Sequence, residues 1–279
     1  MAVIYEILRW EEKAIIKSLR DLGISVIPHY IKAKPVFING LSEDVPDLAI
    51  QRSISHYVAM ESTIAFEAHG VRVVNNSMST AICMDKLWTI SLLAKNGIPT
   101  PKTAVVFSYE AAQEVANKFN YPLVVKPING SWGRLISLIR DGEELRSIME
   151  HRTYLPGMLS KAHLMQEYVR KPGRDIRVFV VGDEVPVAIY RINKHWITNT
   201  ARGGKAIPAR VDAELEEISL KAAKIVGGEI LGIDVFEDPE RGYLVNEINP
   251  IPEFKNTVAV TGYDLPRKIA EYLVSNVRQ

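Results

Sequence analysis

"YLVNEINPIPEFKN", residues 243–256, begins as a β-strand, yet Asn246, Glu247 and Asn249 interrupt its apolar run. Side chains alternate across a strand, so Glu247 and Asn249 share one face at a spacing of about 7 Å. The prolines at 250 and 252 end the strand there. Upstream, "EILGIDVFEDPERGYLVNEIN" (229–249) reads as a hairpin turning at Pro239 to Gly242, with Asp234 inside the apolar run of its incoming strand. If residue 237 pairs with 244, Asp234 falls directly opposite Glu247, and three oxygen-bearing side chains gather on one face. Hard oxygen ligands without His or Cys suit Mg²⁺, which keeps several waters and completes its octahedron with substrate phosphates.

A phosphate site also calls for cations and backbone N–H donors. Lys126 ends the buried-looking strand "PLVVKP" (122–127), where an ammonium needs an anionic partner. Just beyond it, "NGSWGR" (129–134) offers Gly130 and Gly133, whose missing side chains let the backbone approach an anion. No Walker loop and no G-x-G-x-x-G occurs. "MQEYVRKPGRDIRVFV" (165–180) presents Gln166 and Glu167 on a strand and Asp175 after a turn; such a strand edge suits a nucleobase, and the carboxylate suits ribose hydroxyls. Arg191, near the end of the next strand, is placed to reach phosphates. "TNTARGGKA" (198–206) sets Asn199, Arg202 and Lys205 around two glycines in an expected loop.

The remaining pattern divides the chain. Residues 1–80 alternate short β-rich runs ("AVIYEI", "ISVIPHYI", "DLAIQRS", "GVRVVNN") with helical stretches, which predicts a small parallel sheet of βαβ order. One helix is expected from about Thr80 to Lys95, stopped by Asn96-Gly97 and followed by Pro99 and Pro101. A compact α+β unit completes residues 81–162. From His163 to the end, hairpins around Gly182-Asp183 and Pro239–Gly242, with two helices, predict an antiparallel sheet. The fold class is therefore α/β (α+β) in three parts, 1–80, 81–162 and 163–279.

Composition is that of a globular protein: 47% apolar and 24% charged over 279 residues. A net charge of +1 without a basic run argues against nucleic acid, and no apolar window is long enough for a membrane span. The single cysteine, Cys83, has no internal partner, and the amino terminus lacks a charged region followed by an apolar one. The expectation is a cytoplasmic protein.

The order Lys86, "VVKP" with its glycine loop, "QEYV", the Asp234 strand and "NEIN" resembles the ATP-grasp superfamily. Within it, "GSWGR", "QEYVRKPGRDIRVFV", "TNTARGG", "GIDVFE" and "NEINPIPEFKN" are similar to the RimK-type carboxylate–amine ligases, and most closely to the LysX/ArgX family. The resemblance implies an ATP-grasp fold with an N-terminal pre-ATP-grasp domain, a small central lid domain and a larger C-terminal domain. It implies ATP and Mg²⁺ as cofactors, with Lys86 and Lys126 on the phosphates. Gly130, Ser131, Trp132, Gly133 and Arg134 would cover them, and Gln166, Glu167, Tyr168 and Val169 would form the adenine hinge. Asp175 would lie at the ribose and Arg191 at the triphosphate, with Asn199 also in the nucleotide set. Asp234, Glu247 and Asn249 would hold Mg²⁺. Arg202, Gly203, Glu253, Phe254, Lys255, Asn256 and Thr257 would hold the amino acid, and Lys126, Arg191 and Arg202 would serve catalysis.

Such ligases join 2-aminoadipate or glutamate to the C-terminal glutamate of a LysW-like acidic carrier protein, and the resemblance further implies a homo-oligomer. The two amino acids differ by one methylene, worth about 1–3 kcal/mol in a pocket. A RimK-like ligase adding glutamates to a protein tail, or a non-catalytic nucleotide-binding regulator, remain the alternatives.

Overall fold

The computed structural model describes residues 1–39, 45–130, 133–157, 161–198 and 203–277. Its first unit is a four-stranded parallel sheet of order β2-β1-β3-β4, from β1 (Ala2–Tyr5), β2 (Ile27–Tyr30), β3 (Leu48–Gln51) and β4 (Arg72–Val74). Both faces are covered. Val3, Leu48 and Ile50 pack against Ile15, Ile16 and Leu19 of α1 (Trp10–Asp21). Ala2, Ile4, Ala49 and Val73 pack on the other side with Phe66 of α2 (His56–Glu67). The period of two in the strands thus separates two cores.

The single helix expected from about Thr80 to Lys95 is two, α3 (Ser77–Met84) and α4 (Lys86–Lys95). Asp85 is extended (φ −107°, ψ 106°), and its carboxylate accepts the N–H of Trp88 at 2.8 Å. An aspartate that caps a new helix competes with the helix it interrupts. The break matters because it sets Lys86 at the first position of α4.

The central sheet has the order β5-β8-β6-β7, all antiparallel: β5 (Thr103–Val106), β6 (Leu123–Pro127), β7 (Ser137–Ile139) and β8 (His163–Glu167). The chain therefore leaves this sheet after Glu167, later than the division expected at residue 162. Helices α5 (Tyr109–Phe119) and α6 (Gly142–Thr153) cover one face, where Leu123, Val125, Ile139 and Met165 meet Ala112, Ala116, Leu145 and Met149. Alternation sends Val124, Lys126 and Gln166 to the opposite face.

The third sheet is antiparallel, order β11-β10-β9-β12-β13. Its strands are β9 (Arg174–Val181), β10 (Glu184–Ile192), β11 (Lys205–Ala209), β12 (Ile230–Asp238) and β13 (Gly242–Asn249). Lys205, expected in a loop, opens β11 opposite Ile192. On one face Ile176, Val178, Val180, Leu231, Ile233 and Val235 pack against α7 (Ala213–Val226) and helix α4. On the other, Phe179, Val181 and Ile230 pack against α1 and α9 (Leu265–Ser275). The same face continues along β9 to Arg177 and Asp175, and along β12 to Gly232 and Asp234. One end of this face is core, and the other is polar. A short helix, α8 (Lys255–Thr261), follows β13. Among the described residues no helix is long and apolar enough to cross a membrane.

Candidate active site

The polar ends of the central and third sheets face one cavity, with Ile54 and His56 of the first unit on its wall. Asp234 does stand opposite Glu247, but not through the pairing expected from the sequence. Residue 237 pairs with 243, and the register slips by one between Asp234 and Val235. Asn246 is the extra residue of this bulge. A bulge re-aims a side chain, so Asn246, Glu247 and Asn249 all line the cavity, where strict alternation would turn Asn246 away.

Lys126 is 4% exposed and donates to Gln166 Oε1 at 3.0 Å and Asn246 Oδ1 at 3.2 Å. Burial pushes its ammonium down to about 8, and neighbouring Lys86 adds to this; Glu247 and Asp234 act in the opposite direction. Lys86 Nζ lies 3.4 Å from Glu247 Oε1 and donates to the Gly130 carbonyl at 2.5 Å. Gly130 has φ of +142°, a conformation that favours glycine, which is why the loop can present that carbonyl.

Below these lies a buried ion cluster. Arg191 Nε donates to Asp175 Oδ1 at 2.7 Å, and its Nη2 stands 2.9 Å from Asp234 Oδ2. Arg177 donates to both oxygens of Asp234, the longer bond being 3.1 Å. Lys171 Nζ reaches Asp175 at 3.4 Å and Thr198 Oγ1 at 2.9 Å, and Thr198 also donates to Asp175. Burial alone would lower the Arg191 guanidinium, but Asp234 and Asp175 outweigh it and hold it above its usual range. Burial likewise opposes ionisation of Asp175, yet Arg191 and Lys171 keep its carboxyl below the usual range. Gly232 makes room for the cluster: a Cβ there would stand 2.8 Å from Pro252 Cβ and 3.2 Å from Arg177 Nη1.

The cavity gathers many of the residues expected from the sequence. Lys86, Lys126, Gly130, Gly133 and Arg134 line it together with Asp234, Glu247 and Asn249. Gln166, Glu167, Tyr168 and Val169 edge it beside Asp175 and Arg191. The Glu167 carboxylate is engaged outside, accepting from Lys102 N and Arg241 Nη1 at 2.8 and 2.6 Å.

Of the expected amino-acid segment, Glu253 lines the cavity, whereas Phe254 and Thr257 are each 1% exposed and pack inward. Lys255, Asn256 and Gly203 are exposed and lie outside the lining. Ser131, Trp132, Asn199 and Arg202 lie outside the described residues.

Several lining residues were not anticipated. Arg177 and Asn246 add a cation and an amide, Lys171 a third lysine, beside Asp175, and His56 an imidazole from α2. Arg177 was within reach of sequence reasoning, because it shares the β9 face with Asp175. Asn246 depends on the bulge, and His56 on how the first unit docks, neither of which has a local signal.

The donor set fits a hard divalent cation. Glu247 and Asn249 present oxygens to the cavity, while Asp234, already shared between two arginines, has only its remaining lone pairs to offer. Among the described residues no group of three His, Cys, Asp or Glu side chains is clustered for a metal; the third donor is an amide.

Comparison with known proteins agrees with this architecture. The RimK-like ATP-grasp domain family matches residues 83–273, and the LysX preATP-grasp domain family matches residues 1–82. The α-aminoadipate–LysW ligase LysX of Sulfurisphaera tokodaii is 47% identical, covering 100% of this chain and 98% of its own. The glutamate–LysW ligase ArgX of the same organism is 39% identical, over 99% and 98% respectively. Among solved structures, the ATP-grasp ligase PsnB complexed with a minimal precursor, Mg and ADP superposes with a TM-score of 0.77 at 18% identity, covering 100% of this chain and 98% of that one. The three-sheet fold is that of the ATP-grasp ligases. The chain belongs to the RimK-like ATP-grasp family, with a LysX-type preATP-grasp domain at its amino terminus.

Proposed function

We propose that the protein is a cytoplasmic ATP-dependent ligase that joins the α-amino group of 2-aminoadipate to the side-chain carboxyl of the C-terminal glutamate of a LysW-like carrier protein. The observation that carries the ligase reading is the convergence of Lys86, Lys126, Arg177 and Arg191 on one cavity with Asp234, Glu247 and Asn249. Four cations suit a polyphosphate, and the facing oxygens suit its counter-ion.

A carboxylate does not react with amines at neutral pH. Transfer of the γ-phosphoryl group to it would give an acyl phosphate, with Lys126, Lys86 and Arg191 neutralising charge on the transferring group. Mg²⁺ held by Glu247, Asn249 and Asp234 would supply further neutralisation at the phosphate oxygens. The amine then attacks the acyl carbon and phosphate leaves. No covalent enzyme nucleophile is needed: Cys83 is buried, and burial pushes its thiol up to about 12.

The preference for 2-aminoadipate over glutamate rests on the higher identity to a LysX than to an ArgX from one organism. The test is ADP release with carrier protein and each amino acid in turn. Faster turnover with glutamate would make the protein an ArgX-like ligase, and repeated additions to one acceptor would make it a tail-extending ligase. No ADP release with any pair would leave a nucleotide-binding regulator.

Two expected results arise here. Lys126 must be charged to attract phosphate, and its free-enzyme value is about 8. Log(kcat/KM) for ATP should therefore bend downward above about pH 8, while the limb in kcat, governed by the ATP complex, moves to higher pH because phosphate restores the ammonium. Coincident limbs would assign the titration to another group. Stability carries the opposite sign: the depressed lysine favours unfolding below about pH 8 and ceases to as pH rises toward its unfolded value of about 10.4. The second result concerns Arg202, whose place in the amino-acid set is implied by the family resemblance. Arg202→Ala should raise the amino-acid KM by on the order of 10- to 100-fold with little change in the ATP KM; equal effects would remove it from that pocket.

A further inference from the structure

Gly130, Gly133, Arg134 and Ile136, from the segment that joins β6 to β7, line the cavity. Backbone that meets a polyphosphate there has to be held at its roots, because glycines bring no side-chain packing of their own. The entry root is held from α4. Lys86 donates its backbone N–H to the Ile128 carbonyl at 3.2 Å and its ammonium to the Gly130 carbonyl.

The exit root is Leu135, whose φ is +56°, in the left-handed region that a leucine rarely adopts. Packing of its side chain does not explain this, since the residue is 57% exposed. Such a backbone persists where its surroundings fix it. The group found on it is Arg152, in the last turn of α6: its Nη2 donates to the Leu135 carbonyl and reaches the Val125 carbonyl at 3.5 Å. Val125 precedes Lys126 on β6, so one guanidinium ties the exit root to the strand that carries Lys126.

Arg152 is an expensive residue to place there. It is 5% exposed, burial lowers its guanidinium, and among the described residues no carboxylate pairs with it. Its titratable neighbours supply no negative charge either. His163 Nδ1 is buried without a hydrogen-bond partner, and burial first, then Arg152 and Lys161, hold that imidazole down to about 4. Among the described residues the charge of Arg152 is therefore answered by backbone carbonyls, through bonds that the charge strengthens. A planar fork can serve two carbonyls at once, which a lysine ammonium on its flexible stem does less well.

We infer that Arg152 is a positioning residue for nucleotide binding: its grip on the Leu135 carbonyl sets where Gly133 and Arg134 stand against the phosphates. Arg152 itself is outside the cavity lining. The inference rests on the reading of the cavity given above.

The test is calorimetric titration of the full chain with AMPPNP and Mg²⁺, beside steady-state ADP release with carrier protein and amino acid. Arg152→Met keeps an unbranched stem and removes the donors. It should raise the AMPPNP Kd and the ATP KM by on the order of 10- to 100-fold. The amino-acid KM, and kcat at saturating ATP, should stay within about threefold, as expected when only binding is lost. Arg152→Lys should fall between. Leu135→Asn supplies the rescue, because asparagine enters the left-handed region more readily than leucine and residue 135 is outside the lining. Alone it should leave the Kd within about twofold; added to Arg152→Met it should recover roughly threefold or more.

An AMPPNP Kd unchanged in Arg152→Met, whatever happens to Tm, would make Arg152 a purely structural residue and overturn the inference. Equal rises in the KM of ATP and of the amino acid, or no recovery with Leu135→Asn, would do the same. Should Arg152→Met fail to fold, Arg152→Lys with and without Leu135→Asn carries the same comparison. If the unmodified protein binds AMPPNP but releases no ADP with any carrier and amino acid, it is the ligase reading that fails, and the titration still decides on Arg152.

Discussion

Glu247→Gln is expected to lower kcat by on the order of a thousandfold or more while shifting Tm by no more than a few degrees. At an effective dielectric near 20, one charge pair at 4 Å is worth roughly 4 kcal/mol, which corresponds to about a thousandfold in rate. Glutamine keeps the shape and one oxygen, so the bulge that presents residue 247 has no reason to change. Its ion-pair partner is Lys86 at 3.4 Å, and the Glu247 side chain is 22% exposed, so screening by water limits what is lost in folding. Binding and turnover should separate. Removing this carboxylate leaves Lys86 and Lys126 less neutralised, so the ATP KM should hold steady or fall even as kcat collapses. The measurement is steady-state ADP release across a Mg²⁺ titration. An active variant with unchanged Mg²⁺ dependence would remove Glu247 from the metal set.

The reasons these residues were or were not legible are local ones. The hairpin 229–249 could be read from its sequence because two β-rich runs flank a turn cluster, and a carboxylate inside each run stands out against apolar neighbours. The opposition of Asp234 and Glu247 was also readable, although the pairing that led to it holds only beyond the slip and gives way to 237 with 243 below it. A bulge adds one residue without altering composition, so Asn246 gave no sign of turning into the cavity. Lys126 was legible as an ammonium among buried neighbours, and the alternation of β6 then explains its direction. The helix break at Asp85 was not, since an N-cap aspartate inside a continuous helical pattern looks like an exposed polar position until its carboxylate is seen on Trp88 N. Least legible was the grip of Arg9, Glu11, Glu12 and Arg52 on residues 252–255. Those partners are separated by some two hundred residues of chain, and contacts at that distance have no period. Phe254, placed by family resemblance with the amino acid, turns inward for the same reason: it shares a core with Ile15 and Leu19 of the docked first unit, and Thr257 is buried as well.

Asp234→Asn should lose both stability and turnover, and the two losses have separate origins. The carboxylate is 3% exposed and is shared by Arg177 and by Arg191, itself 5% exposed. Breaking a buried pair by removing one partner costs about 3–5 kcal/mol, because the other charge is left uncompensated. For a chain of this size that corresponds to a fall in Tm of roughly 5–9 °C. Arg191 retains Asp175, whereas Arg177 has no second ion-pair partner among the described residues. Asparagine can accept from one arginine but brings no charge, so the strain remains in the cluster until an anion relieves it. ATP is such an anion, and it should therefore raise the Tm of Asp234→Asn by more than it raises that of the unmodified protein, although the variant does not turn over. Asp234→Glu would restore the charge at a shifted position, recovering stability before activity. An Asp234→Asn variant that melts at the unmodified temperature and gains no more from ATP would show that the arginines draw their compensation from elsewhere, and that Asp234 is free to serve the metal alone.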